Sequence, residues 1–474
     1  MIYQLIMGWN YFVLIYFLFI NTVYSVLIII SFFSIKKHLK SMRMIDLKKM
    51  FRHASFLKPI SIIAPAYNEE QTVVENVRSL LSLNYPEYEI ILINDGSKDN
   101  TLKTLIDAYN LKPTVRANPG DLKTNAVRSI YRSETFSNFI VVDKENGGKA
   151  DALNAGINVS RFPLFTAIDT DSLLEKNALL QMSLPFIERP ETVAVGGVVR
   201  IINGCEIQNG AVVKVGLPGK ALPLFQIVEY FRAFLFGRVG WEAMNMLLVI
   251  SGAFGMFKKS AVLMAGGYRT DTVGEDMELI TRLHRTMRDK KLKYHVGFLP
   301  EPVCWTEAPE SLKILSRQRN RWQRGLFESI FLNRRMIFNP RYGRIGLFAV
   351  PFALFIEGLG PIVEFLGYIT FIMSWKLGTL DGFFAIAFLS AAILLGVVIS
   401  TSALVVEEIT FRRFPDIKMV VILFLFGILE NFGYRQLHAW WRLRAIFDYV
   451  IGKKAWGEMT RTGFSKKNSN PEVE

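Results

Sequence analysis

Residues Tyr11–Phe33 form a predominantly apolar run of 23 residues without a single charge. As a helix rising 1.5 Å per residue, such a run reaches about 35 Å, enough to cross the hydrocarbon core of a bilayer. A secretory leader has a shorter apolar core, with positive charge before it and a small-residue cleavage site after it. Here the charge follows the run, at Lys36, Lys37, His38, Lys40 and Arg43. The run therefore reads as an uncleaved anchor. The positive-inside bias places the N-terminus outside and the chain after Lys36 in the cytoplasm.

Three more apolar stretches lie near the other end, at 345–375, 382–406 and 419–440. Arg334, Arg335, Arg341 and Arg344 precede the first, and Arg412, Arg413 and Lys418 precede the third. Both flanks lie inside if the first two stretches form a hairpin. A full third crossing would carry Lys453, Lys454, Arg461, Lys466 and Lys467 outside, against the charge bias. A half-crossing followed by an interfacial helix over 434–450, with Trp440, Trp441, Arg442 and Arg444, keeps the tail inside. Glu357 and Glu364 fall within the first of these stretches, near Pro351 and Pro361. Carboxylates at that depth face protein or water rather than lipid, which fits either a helix-bundle interface or a wet path.

The 474 residues carry 56 Lys and Arg against 42 Asp and Glu, a formal charge of +14. High positive charge raises the suspicion of nucleic-acid binding, but the cytoplasmic flanks of apolar segments account for it. With 51% hydrophobic residues the chain is not disordered. Cys205 and Cys304, alone in so long a chain, exclude a disulfide scaffold, and with five scattered histidines they make no structural zinc site.

Between the apolar ends, residues 57–205 alternate strand and helix patterns. Ile60–Ala64, Glu89–Asn94, Phe139–Val142, Leu164–Ile168 and Val193–Val199 read as strands. Helical spacing follows from Val73, over Thr101–Tyr109, over Lys149–Val159 and near Lys176–Phe186. Such alternation predicts an α/β domain, a mostly parallel sheet with helices on both faces. Ligands of these sheets bind outside the carboxyl ends of the strands.

The residues at those ends are Pro65-Ala66-Tyr67-Asn68-Glu69-Glu70, Asn94-Asp95-Gly96-Ser97 and Asp169-Thr170-Asp171. A single Asp after a strand is ordinary, since it makes a turn or caps a helix. Carboxylates from three strands on one rim call for positive charge, which a divalent cation with a phosphate ligand supplies. No GxxxxGK[ST] or GxGxxG follows the first strand, which disfavours a P-loop or a dinucleotide fold. Lys144-Glu145-Asn146-Gly147-Gly148-Lys149 opens a helix, where backbone N–H groups beside Lys149 suit a diphosphate, although a plain glycine turn with surface lysines reads the same way. Leu312–Leu332 is a basic helical segment carrying Arg317, Arg319, Arg321 and Arg324, and Phe225–Trp241 is aromatic and amphipathic. Both suit a membrane surface. Ser251-Gly252-Ala253-Phe254-Gly255 is either a strand bend or a close approach to a ligand.

Together these elements resemble the membrane-embedded glycosyltransferases of family 2, the group that includes poly-N-acetylglucosamine, hyaluronan and cellulose synthases. The matching residues are Pro65–Glu69, Asn94–Ser97, Asn146–Lys149 with Ala152-Leu153-Asn154, and Asp169–Asp171. Downstream, Gly274-Glu275-Asp276 is similar to the family's Thr-Glu-Asp element, with Gly in place of the common Thr. Gln318-Arg319-Asn320-Arg321-Trp322 fits its Gln-x-x-Arg-Trp signature. The resemblance covers about residues 57–330 by motif.

The resemblance implies a GT-A-like fold and a role for each residue. Tyr67, Glu69 and Asp95 would hold the nucleotide, unless Tyr67 is a core aromatic. Asp171 would ligate Mg2+ or Mn2+ with Asp169 close by, and Lys149 would lie beside the diphosphate. Asp276, with Glu275 beside it, would be the general base of a single, inverting displacement, where a helix N-terminal carboxylate is the plain structural alternative. Gln318, Arg319 and Arg321 would contact the diphosphate, and Trp322 would stack under the acceptor sugar.

The expected protein is thus an anchor and linker over 1–56, a cytoplasmic glycosyltransferase domain with interfacial helices over 57–335, a transmembrane and interfacial region over 336–451 and a polar tail over 452–474. With about twenty residues after Lys453, no further regulatory domain is expected there. The expected activity moves a sugar from a UDP-sugar to a growing polysaccharide, with a membrane lipid as the alternative acceptor. The expected setting is the plasma membrane, multi-pass, with the bilayer and an accessory subunit as partners and no nucleic acid.

Overall fold

The computed structural model describes residues 2–44, 56–170, 172–208 and 210–453. They form two compact units, one of residues 56–215 and 249–307 and the other of 2–44, 216–248 and 308–453. This division differs from a single domain over 57–335, because 216–248 and 308–335 cluster with the apolar helices. Aromatic packing explains it: the Phe225 ring lies 4.8 Å from Phe426 and 4.7 Å from Tyr434, and Phe327 lies 5.4 Å from Tyr449.

The first unit holds the strands. In chain order they are β1 (Ile60–Ala66), β2 (Tyr88–Asp95), β3 (Leu111–Pro113), β4 (Val127–Ser133), β5 (Phe139–Lys144), β6 (Leu164–Ile168), β7 (Leu173–Leu174), β8 (Thr192–Ile201), β9 (Glu206–Gln208), β10 (Ala211–Lys214), β11 (Phe254–Lys258) and β12 (His295–Thr306). Strands β9 and β10 form a small ribbon, and the other ten form one sheet in the order β3-β4-β5-β2-β1-β6-β11-β8-β12-β7.

The expected α/β class holds, and the sheet is mixed. Four of its nine pairings are parallel and five antiparallel. The reason is connection length. β1 reaches its parallel neighbour β2 through the helix Val73–Leu81, whereas β4 turns straight back into β5 as an antiparallel pair. The parallel centre is β5-β2-β1-β6, whose strands are almost wholly buried. That burial is why they read as continuous apolar runs. The helix Lys149–Val159 packs on this centre, and a Cβ at Gly156 would collide with Ile63.

This register aims chemistry at one rim. Asp95 pairs with Lys144 across β2 and β5, and Ala66 pairs with Asn94 across β1 and β2. β11 runs antiparallel beside β6 with Phe254 opposite Ile168. Its first residues therefore return to the same rim, next to Asp169. The segment Ser251–Gly255 is thus the entry to an inner strand.

The second unit is helical. Ile2–Met44 packs along Gly360–Lys376, where Asn10 Nδ2 donates to Ser374 Oγ at 2.8 Å and a Cβ at Gly367 would come within 2.7 Å of Val13 Cγ1. Among the described residues, three helical stretches are long and apolar enough to cross a membrane: Gln4–Met42, Ile345–Lys376 and Gly382–Phe411. Ile417–Leu429 and Tyr434–Val450 pass the same test only together and are bent by 57° at the break between them. The helix read over 434–450 is present with those bounds. Glu430, at the break, is fully buried and takes Arg232, Arg435 and Ser400 as partners. Glu357 and Glu364 are half-buried within their stretch.

Candidate active site

The rim formed by the ends of β1, β2, β5 and β6 gathers most of the expected residues. Tyr67 leaves β1 with 43% of its surface exposed, so it is a rim aromatic and not a core one. Asn68 turns the chain in a left-handed conformation (φ 56°), which Asn tolerates better than most residues. Its N–H donates to Ser97 Oγ at 3.0 Å, and its Oδ1 accepts from Lys98 N at 2.8 Å. The Glu69 N–H donates to Thr101 Oγ1 at 2.8 Å, while its carboxylate accepts from Thr72 Oγ1 at 2.8 Å and Thr170 Oγ1 at 3.4 Å. Glu69 therefore joins the loops after β1 and β6. Asp171 lies outside the described residues.

Asp95 departs from its expected part. It is 3% exposed. Its Oδ1 accepts from Lys144 Nζ at 2.7 Å and Gly147 N at 3.0 Å, and its Oδ2 from Gly148 N at 2.8 Å and Asn146 Nδ2 at 3.2 Å. A carboxylate has about four acceptor sites, and all are taken by the chain itself. The amides of Gly147 and Gly148, expected to face a diphosphate, are spent on Asp95 for the same reason.

Lys149 faces the rim instead. Its Nζ lies 2.5 Å from Asp169 Oδ1, 3.7 Å from Glu275 Oε1 and 3.3 Å from the Gly252 carbonyl. Burial works against this ammonium, but Asp169, Glu275 and Asp276 outweigh it and raise its pKa above the ordinary lysine value. Asp276 begins the helix Glu275–Asp289, where its Oδ1 accepts from Met277 N at 2.8 Å and its Oδ2 from Gly252 N at 3.1 Å. Each oxygen keeps acceptor capacity. Glu275 is buried and points at Lys149.

Three participants take parts that the sequence did not assign to them. Gly252 touches both Lys149 and Asp276. Tyr268 is buried, and burial followed by the charges of Glu275, Asp276 and Asp169 pushes its phenol well above its usual pKa. Lys144 is wholly buried under the Gly147-Gly148 turn. Gly252 was legible within Ser251–Gly255 as a close approach or a bend, and Lys144 as the start of the Lys144–Lys149 stretch, where the plain reading of a surface lysine does not hold.

The Gln318–Trp322 group belongs to the helical unit, on the helix Leu312–Leu332. Ser311 caps this helix by accepting from Ile314 N at 3.3 Å. Arg319 is wholly buried rather than displayed: Nη2 lies 2.8 Å from Glu229 Oε2, and the guanidinium sits 4.2 Å from the centre of the Trp322 ring. Tyr434 OH donates to the same Glu229 oxygen at 3.1 Å. Trp322 is 44% exposed and Arg321 is half-buried. Gln318 Oε1 and Arg319 Nε and Nη1 are buried without a hydrogen-bond partner among the described residues. Glu229 and Tyr434 are further residues the sequence did not reveal.

Residues 61–261 match the family described as glycosyl transferase family 2, and residues 164–401, half of the chain, match glycosyl transferase family group 2. The chain belongs to glycosyltransferase family 2. Poly-beta-1,6-N-acetyl-D-glucosamine synthase of Staphylococcus epidermidis is 33% identical over 267 residues, 56% of this chain and 54% of that protein. The synthase of the same name from Staphylococcus aureus strain COL is 33% identical over 272 residues, 57% of this chain and 55% of that protein. The chain spans about half the length of the curated relatives it matches. Among solved structures, mannosyltransferase PcManGT from Pyrobaculum calidifontis, in complex with GDP-Man and Mn2+, is 15% identical and covers 90% of this chain and 100% of that one at a TM-score of 0.48. Glucosyl-3-phosphoglycerate synthase from Mycobacterium tuberculosis, in complex with Mn2+, UDP and phosphoglyceric acid, is 15% identical and covers 58% of this chain and 80% of that one at a TM-score of 0.36. Family membership and the mixed sheet agree with the GT-A-like α/β domain read from the sequence.

Proposed function

We propose that this family 2 member is an inverting synthase that moves sugar from a UDP-sugar onto a growing polysaccharide at the cytoplasmic membrane face and passes the polymer outward. One observation carries the reading: Lys149, Asp169, Glu275 and Asp276 meet around Gly252 at a single rim. That rim holds an ammonium suited to a diphosphate, a carboxylate suited to a cation and a carboxylate suited to take a proton. The relatives' name makes UDP-N-acetylglucosamine the first donor to test and β-1,6 the first linkage. The proposed orientation puts the N-terminus outside and the strand-bearing unit in the cytoplasm. The bend before Tyr434 supports a chain that turns back to the inner face.

In the proposed reaction an acceptor hydroxyl oxygen attacks the anomeric carbon as its proton passes to Asp276. The bond from that carbon to the diphosphate oxygen breaks, and UDP leaves with the electron pair. Two backbone N–H groups fix the Asp276 carboxylate, so it meets the hydroxyl already oriented. Lys149 places positive charge beside the departing diphosphate. Tyr67 offers an aromatic face to the base; for the helical unit, the family signature implies that Trp322 stacks on the acceptor sugar with Gln318 and Arg321 as polar contacts.

Among the described residues, no three or more His, Cys, Asp or Glu are grouped to hold a metal. A Mg2+ or Mn2+ ion bound by Asp169 and Asp171 would take its other ligands from the diphosphate. The donor set fits, since carboxylate oxygens are the hard ligands such ions prefer and Asp169 is partly open to solvent. When bound, the ion would offset charge on the UDP leaving group.

The test is purified protein in lipid nanodiscs, with Mg2+ or Mn2+ and a panel of radiolabelled UDP-sugars, the product being sized on a gel. A high-molecular-weight, glycosidase-sensitive product from one donor, absent with Asp276→Asn, is expected. A small, lipid-extractable product would identify a membrane lipid as the acceptor instead.

A further inference from the structure

Lys144 closes β5 with no exposed surface. Its Nζ lies 2.7 Å from Asp95 Oδ1 and 2.6 Å from Asp151 Oδ1, and it donates to the Glu145 carbonyl at 2.5 Å. An ammonium has three protons, so none remains for a ligand. Asp151 sits in the first turn of the helix Lys149–Val159, and its carboxylate also accepts the Asn125 N–H, at 3.3 Å to Oδ1 and 3.1 Å to Oδ2. One buried cation thus ties together the end of β2, the end of β5, the loop at residue 125 and the start of the helix that carries Lys149.

The turn it secures has little freedom. A Cβ at Gly147 would fall on the Asp151 carboxylate, and one at Gly96 would come within 2.7 Å of Asn146 N. Gly148 holds a left-handed φ of 84°. Asp95 in turn accepts the Gly147 and Gly148 N–H groups, so orienting Asp95 orients the turn. Without the Lys144 ammonium, two buried carboxylates would face each other with no counter-charge, an arrangement that must relax by moving one of them.

We propose that Lys144, held between Asp95 and Asp151, is a positioning residue for nucleotide-sugar binding: it sets the Gly147-Gly148 turn and, through the helix start, the place of Lys149. The inference rests on the donor reading proposed above.

The experiment measures UDP affinity by calorimetry, and donor KM and kcat, for full-length protein in nanodiscs. Lys144→Met should raise the UDP Kd and the donor KM tenfold or more, with kcat within threefold of wild type. Asp95→Asn should do the same, and the double variant should be no worse than either single one, since the residues act as one unit. Asp151→Asn keeps a side-chain oxygen for Lys144 but loses the charge, and should raise KM threefold or more, which serves if Lys144→Met does not fold. A folded Lys144→Met or Asp151→Asn with unchanged Kd and KM, or loss of kcat alone, overturns the inference while leaving the donor reading intact. So do effects that multiply in the double variant. Wild-type protein that binds no UDP overturns both.

Discussion

The backbone N–H of Gly252 donates to Asp276 Oδ2 at 3.1 Å, so a residue without a side chain fixes the orientation of the proposed base. Its carbonyl holds Lys149 Nζ at 3.3 Å from the other side. A Cβ here would stand 3.0 Å from Lys149 Nζ and 3.4 Å from Asp276 Oδ2. Gly252→Ala should therefore push the Lys149 ammonium by a few tenths of an ångström and set a methyl group against the Asp276 carboxylate. Misplacement on that scale costs about tenfold or more in the rate of transfer. Titration with UDP and single-turnover kinetics separate the two effects. Transfer should fall well beyond any change in UDP affinity, and wild-type transfer would remove Gly252 from the positioning of the base.

Asp276→Asn retains both backbone hydrogen bonds through its amide oxygen and loses only the ability to take a proton. UDP should bind within about twofold of wild type, while transfer falls by roughly the 10²–10⁴-fold typical of losing a general base. Loss of UDP binding instead would mark Asp276 as a strut for the helix Glu275–Asp289. Calorimetry beside a transfer assay decides between these outcomes.

Lys149→Met removes the cation between Asp169 and Glu275 while keeping most of its volume. The two carboxylates are then left to repel each other and the diphosphate. Donor KM should rise by about tenfold or more, as expected when a charge-assisted contact to phosphate is lost. A KM unchanged with a lower kcat would place Lys149 outside donor binding.

The sequence revealed those parts of the fold whose signal is local. β1, β2, β5 and β6 were legible because central parallel strands are apolar on both faces, as in Glu89–Asn94. β4 (Val127–Ser133) is half-exposed and alternates polar residues, and β12 carries Pro300 and Pro302, so neither reads as a strand. The rim residues were legible because strand ends are adjacent to strand patterns. The uses of Asp95 and Arg319 were not. The partner of Asp95 is Lys144, which follows from the β2–β5 register, and the partner of Arg319 is Glu229, ninety positions away. No local pattern encodes either pairing.

Glu89 offers a test of stability away from the rim. It is fully buried at the opposite end of β2, where it accepts from Ser61 Oγ at 2.6 Å, Arg116 Nη2 at 2.6 Å and Arg161 N at 2.9 Å. Burial alone would raise its pKa, but these hydrogen bonds and the Arg116 charge outweigh it, and the folded value lies below the ordinary one. A carboxylate depressed in the folded state adds stability above its unfolded pKa and loses it as pH falls through the folded value. Glu89→Gln should thus cost roughly 2–3 kcal/mol at neutral pH, the scale of hydrogen bonds to a charged group. The gap to wild type should narrow below about pH 4, past the ordinary carboxylate range. Thermal shifts across that range check the sign; a gap that widens in acid would contradict it.

The last test concerns the acceptor role proposed for Trp322. Three residues apart on one helix, Arg319 and Trp322 stack because i, i+3 side chains share a face. The guanidinium is 4.2 Å from the ring centre and is anchored to Glu229. Lysine keeps the charge but has no planar face to lay on the indole while reaching Glu229. A desolvated cation–π contact contributes about 2 kcal/mol, so Arg319→Lys should let the indole drift and reduce acceptor use by about tenfold or more. Donor hydrolysis, which needs no acceptor sugar, should stay within about threefold. Trp322→Ala should show the same split, and Arg319→Lys should add little in that background, because its effect runs through the ring. Product length on a gel, set against UDP release without acceptor, reads the split directly. Equal loss of hydrolysis and transfer in Arg319→Lys would mean that the buried guanidinium holds the helix and not the indole.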